Sequence, residues 1–183
     1  MRLFVAVWLP APVLDALARL DRPENPAWRW TTEDQWHVTL AFLGELDPSS
    51  LPAVEASLAA ALTEVDAPVR AEVSGPSAVL FPGILAFPVA GLDELAAVVR
   101  RAVDEPSVTA GRPFTGHLTL ARARRNQHIP PQLAGAEITA RWPVDQVTLV
   151  ASTLDPDGAR YAPVASFPVA LERPPHEQVF DLQ

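Results

Sequence analysis

Two stretches of the chain nearly repeat each other: WHVTLAF, from Trp36 to Phe42, and GHLTLAR, from Gly116 to Arg122. In each, a histidine is followed by an aliphatic residue, a threonine and a leucine, and the two histidines stand 80 positions apart in a chain that has only four. Side chains alternate along a strand, so His37 and Thr39 share one face while Val38 and Leu40 share the other, and His117 and Thr119 are opposed to Leu118 and Leu120 in the same way. The aliphatic pairs anchor each strand in a core. Two such strands facing each other would surround a small space with two imidazoles and two hydroxyls, a set that suits a phosphate diester. One imidazole can take a proton from an attacking water while the other gives one to the leaving oxygen. The threonine hydroxyls can donate to the non-bridging oxygens as charge builds there.

No metal is needed for that chemistry, and no cofactor is expected. The histidines are scattered, without His-Glu-x-x-His or paired-carboxylate spacing. One His-x-Thr would carry little weight, because a single strand histidine is more often a hydrogen-bonded structural residue. With four histidines and ten threonines, chance supplies only about 0.2 such tripeptides in a chain of this length, so two with leucine following both are informative. His128, in RNQHIPP, lies in a predicted loop and is expected to be exposed. His176, in the C-terminal ERPPHEQVFDLQ, falls in a predicted tail and is assigned no role.

The elements that must position the motifs follow from apolar periodicity and chain breakers. Strands are predicted near 2–9, 28–32, 37–42, 69–74, 77–81, 84–89, 117–123, 147–153 and 162–169. Helices are predicted over 11–20, 48–62 and 92–104, with a weaker one near 130–133. The order implies an α+β domain with mostly antiparallel pairing, and each half holds a strand, a helix and a histidine-bearing strand. No low-complexity linker divides the halves, so residues 1–172 are read as one domain of two similar lobes and 173–183 as a tail.

A chain of 183 residues can bury roughly 70% of its unfolded surface around one core. The absence of cysteine removes disulfides, thiolate nucleophiles and sulfur-dependent zinc sites, and a reducing cytoplasm is the expected compartment. The first apolar run is too short for a signal-peptide core, and nothing approaches the length of a membrane span. A soluble monomer is expected. The net charge of −8 argues against a general nucleic-acid binder. Yet every basic residue is arginine, and from Pro106 to Ala136 there are four arginines with no acidic residue. Arg124 and Arg125 in that island read equally well as solvated loop charges.

Paired His-x-Thr-x motifs about eighty residues apart resemble the signature of the two-histidine (2H) phosphoesterase superfamily, and the chain resembles its bacterial and archaeal RNA 2′,3′-cyclic phosphodiesterases, once named 2′-5′ RNA ligases. The likeness runs from RLFVAVWLP through WHVTLAFLGEL and RPFTGHLTLAR to VTLVASTLDPDGARYAPVASFPV. It implies a bilobal, pseudo-twofold fold with antiparallel sheets lining a central cleft and helices outside. It implies opening of a 2′,3′-cyclic phosphate on an RNA end to a 2′-phosphate. His37 would protonate the leaving 3′ oxygen, His117 would activate water, and Thr39, Thr119 and Arg122 would hold the phosphate. By strict alternation Arg122 points away from His117; a bulge or a strand end near Ala121 would bring it back. Where many relatives have Glu-Ser, this chain has Ala151-Ser152, a departure that bears on local orientation or substrate contacts. Alternative substrates for the same chemistry are cyclic nucleotides, ADP-ribose cyclic phosphate and 2′-5′ oligonucleotides. A module that binds a nucleotide or RNA end without turnover is the alternative of another class.

Overall fold

The computed structural model describes residues 1–66, 68–103, 112–155 and 158–169. In chain order the elements are β1 (Arg2–Trp8), α1 (Ala11–Ala18), β2 (Trp28–Trp30), β3 (His37–Glu45), α2 (Leu51–Leu62), β4 (Arg70–Val73), β5 (Ala78–Phe81), β6 (Ile84–Ala90), α3 (Asp93–Ala102), β7 (His117–Ala123), β8 (Arg141–Pro143), β9 (Gln146–Asp155) and β10 (Gly158–Pro168). Eight of the ten strands form one path, β10-β9-β1-β3-β7-β6-β4-β8, and the other two lie off it, β2 paired with β7 and β5 with β6. All recorded pairings are antiparallel. The architecture is therefore α+β with a mostly antiparallel sheet. Its midpoint is the step from β3 to β7, the two histidine strands, with four strands of the path on either side.

The sheet has two unlike faces. On one, Leu3, Val5 and Val7 of β1, Val38 and Leu40 of β3, and Leu118 of β7 join the buried residues of all three helices in a single apolar cluster. The helices supply that cluster at helical spacing: Val13 and Leu17 from α1, Leu58 and Leu62 from α2, and Leu95, Ala96 and Val99 from α3. Asp93 and Glu94 in the first turn of α3 and Arg100 and Arg101 in its last match the polarity of the helix dipole. The other face carries a small cluster of Phe4, Ala6 and Val150, with Trp8 and Tyr161 packed against it. That face forms the cleft.

The predicted elements are present, with shifted ends. The segment foreseen as one helix from Pro48 is a 3-10 turn, Pro48–Ser50, followed by α2; Asp47 caps the turn by accepting from the Ser49 backbone N–H at 2.8 Å. Near 130–133 there is a 3-10 turn, Pro131–Leu133, rather than an α-helix. The third helix ends at Ala102, and Asp104 lies outside the described residues, as do residues 170–183, which include the whole predicted tail 173–183. β8 was not foreseen: it is three residues long and ends in Pro143, which an edge position tolerates because its outer side needs no donor. Among the described residues no helix is long and apolar enough to cross a membrane.

Candidate active site

β3 and β7 meet at one paired position, Val38 opposite Leu118. Those two side chains are fully buried on the core face, so the residues flanking them, His37 and Thr39 on one strand and His117 and Thr119 on the other, turn to the cleft face together. All four are half-buried.

Each strand then breaks its alternation at the same place. Against β1, Ala41 pairs with Val5 and Thr39 with Ala6, which leaves Leu40 as an extra residue. Against β6, Ala121 pairs with Leu85 and Thr119 with Ala86, which leaves Leu120 extra. Leu40 and Ala41 are both buried, as are Leu120 and Ala121. After each bulge the phase has slipped by one, so Phe42 and Arg122, which strict alternation sends to the core, are exposed on the cleft face. A bulge, not the end of the strand, therefore places Arg122 beside the histidines. Phe42 is its counterpart on β3.

The bulge in β7 has a specific brace. The Thr31 backbone N–H donates to the Leu120 carbonyl at 2.8 Å. Its hydroxyl lies 2.8 Å from the Thr119 carbonyl and 2.9 Å from that of Leu120, and it accepts from the Trp36 indole N–H at 3.0 Å. Thr31 is only 7% exposed.

Both imidazoles are oriented by the same local device. His37 Nδ1 lies 2.8 Å from the Gln35 carbonyl and His117 Nδ1 lies 2.8 Å from the Thr115 carbonyl. A carbonyl can only accept, so Nδ1 carries the hydrogen in each ring and Nε2 is left for chemistry. In His37 that Nε2 lies 3.1 Å from the Thr39 hydroxyl, which donates to it when the ring is neutral. The residues two positions before each histidine, Gln35 and Thr115, are thus part of the site, although nothing in their side-chain types signals it.

The two rings differ in surroundings. His37 sits among Phe4, Trp8 and Tyr161, with ring centroids 4.9, 5.5 and 5.1 Å away. His117 meets Phe81 at 4.9 Å. Burial pushes the His37 imidazole down to about 4; the Gln35 carbonyl opposes this, and the charges of Arg122 and His117 add to it. His117 is also lowered, chiefly by burial and then by Arg122, against the Thr115 carbonyl. Arg122 thus acts on both imidazoles. A cavity of about 330 Å³ lies on the His37 side, bounded by Thr39, Phe42, Arg122, Ser152 and Tyr161 among others, and a second of about 200 Å³ lies on the His117 side between Phe42, Phe81 and Phe114. The former is at the lower end of the range for small-molecule sites. Among the described residues no group of three or more His, Cys, Asp or Glu is placed to hold a metal ion.

The structure therefore brings His37, His117, Thr39, Thr119 and Arg122 to one face. Arg124 and His128 border a separate shallow depression that shares only Arg122 with the cleft, and His128 is exposed. Arg125 is also exposed, and His176 lies outside the described residues. Of the Ala151-Ser152 pair, Ser152 lines the His37-side cavity while Ala151 packs against the main core, so the departure from Glu falls on the face away from the cleft. The aromatic set around His37 escapes a reading by motif. Its signal is the spacing of Phe4 and Trp8 on alternate positions of β1, opposite the core-facing Leu3, Val5 and Val7.

Comparison with known proteins agrees with this geometry. A Thermus thermophilus RNA 2′,3′-cyclic phosphodiesterase is 35% identical, covering 91% of this chain and 89% of the relative, and the Escherichia coli K12 protein of the same name is 31% identical, covering 89% and 93%. The crystal structure of TT0787 from Thermus thermophilus superposes with a TM-score of 0.76 at 31% identity, covering 94% of this chain and 100% of that one. Escherichia coli LigT complexed with 3′-AMP superposes at 0.71 and 26% identity, covering 93% and 98%. Residues 9–156, which include both histidine strands and the bulge that aims Arg122, match the family described as the 2′-5′ RNA ligase superfamily, and the chain belongs to it.

Proposed function

We propose that the protein hydrolyses 2′,3′-cyclic phosphate ends of RNA to 2′-phosphomonoesters by acid-base catalysis between His37 and His117, without a metal. The observation that carries this reading is the pair of imidazoles on neighbouring strands of one sheet face, each with Nδ1 committed to a carbonyl and Nε2 left for chemistry. The relatives named RNA 2′,3′-cyclic phosphodiesterase support the substrate class.

Water attacks phosphorus as His117 Nε2 removes its proton. The P–O3′ bond breaks, and O3′ takes the proton carried on His37 Nε2. The product keeps phosphorus on O2′, and the two histidines exchange protonation states with solvent before the next turnover. Thr39, Thr119 and Arg122 face the non-bridging oxygens, where charge increases in the transition state. In the free protein His37 is neutral at pH 7; the negative charge of the bound phosphate favours its imidazolium and offsets the burial. The matching bulges and matching histidine anchors support reading the domain as two similar lobes.

The test is incubation with a short RNA bearing a 2′,3′-cyclic end in the presence of EDTA. Conversion to the 2′-phosphate is expected, with losses on the order of 10²- to 10⁴-fold in His37→Ala and in His117→Ala. Persistence of the cyclic end at high protein concentration, or a loss confined to one histidine, overturns the reading.

A further inference from the structure

Beyond Arg122 the surface continues into an open depression that the proposed chemistry leaves unused. Its volume is about 600 Å³, within the range of small-molecule sites. Val79, Ile84 and Ile129 give it an apolar floor, Arg124 and His128 border it, and Arg122 is the wall it shares with the His37-side cavity. Val79 is 38% exposed, so part of that floor is open to solvent. None of the lining residues is acidic.

The loop that carries Arg124 and His128 is held in place. The Arg124 N–H donates to the Ala27 carbonyl at 2.8 Å, and the Gln127 N–H closes a tight turn onto the Arg124 carbonyl at 2.9 Å. Asn126 occupies the turn with φ 60, a left-handed conformation that asparagine tolerates better than most residues. One residue after His128, Ile129 is buried in the main core. The backbone is thus tied down on both sides of two exposed side chains. Among the described residues, no hydrogen bond or ion pair engages the side chain of either Arg124 or His128. An unengaged guanidinium beside an open apolar floor suits single-stranded nucleic acid, whose backbone is tracked by cations while its bases pack on apolar and aromatic side chains.

We propose that this depression takes the nucleotide that precedes the 2′,3′-cyclic end of an RNA strand, with Arg124 on the internucleotide phosphate and the base on the floor formed by Val79 and Ile84. The identity of the strand rests on the function proposed above. A strand whose end lies between the histidines reaches the depression by crossing a single guanidinium, that of Arg122. The substrate class is then an oligonucleotide rather than a cyclic mononucleotide.

The test is binding and needs no turnover. Affinities for adenosine 2′-monophosphate and for the dinucleotide adenylyl-(3′,5′)-adenosine 2′-phosphate are measured by calorimetry on the native full chain, on Arg124→Gln and on Val79→Asp, which places a carboxylate on the floor. Thermal melts check that each variant is folded. The dinucleotide is expected to bind the native protein on the order of tenfold more tightly. Between roughly 0.05 and 0.3 M salt its affinity should fall more steeply than that of the mononucleotide, by about 0.7 in log-log slope, as for one further single-strand phosphate contact. Each substitution should cut the margin to about threefold or less and leave mononucleotide binding unchanged, and Arg124→Gln should also abolish the extra salt dependence. Equal affinity for the two ligands in the native protein overturns the proposal. A margin that survives either substitution in a folded variant overturns it too, as does a substitution that weakens both ligands alike. The expected margins in a protein that leaves cyclic ends intact would support the strand path and overturn the phosphodiesterase reading alone.

Discussion

Thr31→Val isolates the contribution of the β7 bulge to the site, because valine keeps the shape of threonine and removes only the hydroxyl. The Thr31 N–H still donates to the Leu120 carbonyl, but the Trp36 indole loses its acceptor and the Thr119 carbonyl loses a donor. Leaving a buried polar group unpaired costs about 1–3 kcal/mol. Taking about 2 kcal/mol, and a shift of about 2–4 °C per kcal/mol for a chain of this size, the melting temperature should fall by roughly 4–8 °C. The effect on activity is the sharper measure. Arg122→Ala removes a charge-assisted contact worth about 1.5–3 kcal/mol, roughly a 10- to 150-fold loss in kcat/KM. If Thr31 acts by holding the bulge that aims Arg122, Thr31→Val should lose part of that factor and should lose little more when Arg122 is already alanine. Thr31→Ser should restore both stability and rate. The assay is kcat/KM on an RNA 2′,3′-cyclic phosphate for the native protein, both single variants and the double variant. Losses that simply multiply would show that Thr31 and Arg122 act independently, and the positioning argument would be refuted.

Two further outcomes follow from the buried imidazoles. Catalysis as proposed needs His37 charged and His117 neutral, and in the free protein both are pushed below the ordinary 6.5, His37 to about 4; kcat/KM should therefore peak on the acid side of 6.5 and decline toward neutrality, while kcat, with the phosphate in place, peaks at higher pH. A kcat/KM still climbing at about pH 7.5 would count against the assignment. For stability, the unfolded chain binds a proton on His37 that the fold excludes, so the contribution is complete above pH 6.5 and is lost as pH falls toward about 4. Urea denaturation across that window should show the decline in the native protein and a shallower one in His37→Phe; equal slopes would contradict the burial argument.

Much of the site was legible because its core alternates so plainly. β7 runs from His117 to Ala123 as the apolar pattern predicts, and the face assignments of His37, Thr39, His117 and Thr119 need only period two. Arg122 and Phe42 were not assignable in this way, since a one-residue slip reverses every later side chain and the slip is set by pairing with β1 and β6. Thr31 is brought to Leu120 across 89 residues of chain, and Tyr161 reaches His37 from β10, the end strand of the sheet's path, across β9 and β1. Such contacts are products of topology. β8 escaped because three residues ending in proline leave no periodicity to detect.

The paired bulges also give the cleft a direction. Up to the bulge the two histidine strands present the same series, imidazole then hydroxyl, so a phosphate between them would meet equivalent groups from either side. Immediately afterward one strand offers the Phe42 ring and the other the Arg122 guanidinium. A single extra leucine in each strand thus exposes one position at which the halves can diverge without disturbing the histidines and threonines before it, a guanidinium on one strand and a phenyl ring on the other. The asymmetry between the halves is carried there by side chains, while the backbone of both strands follows the same course.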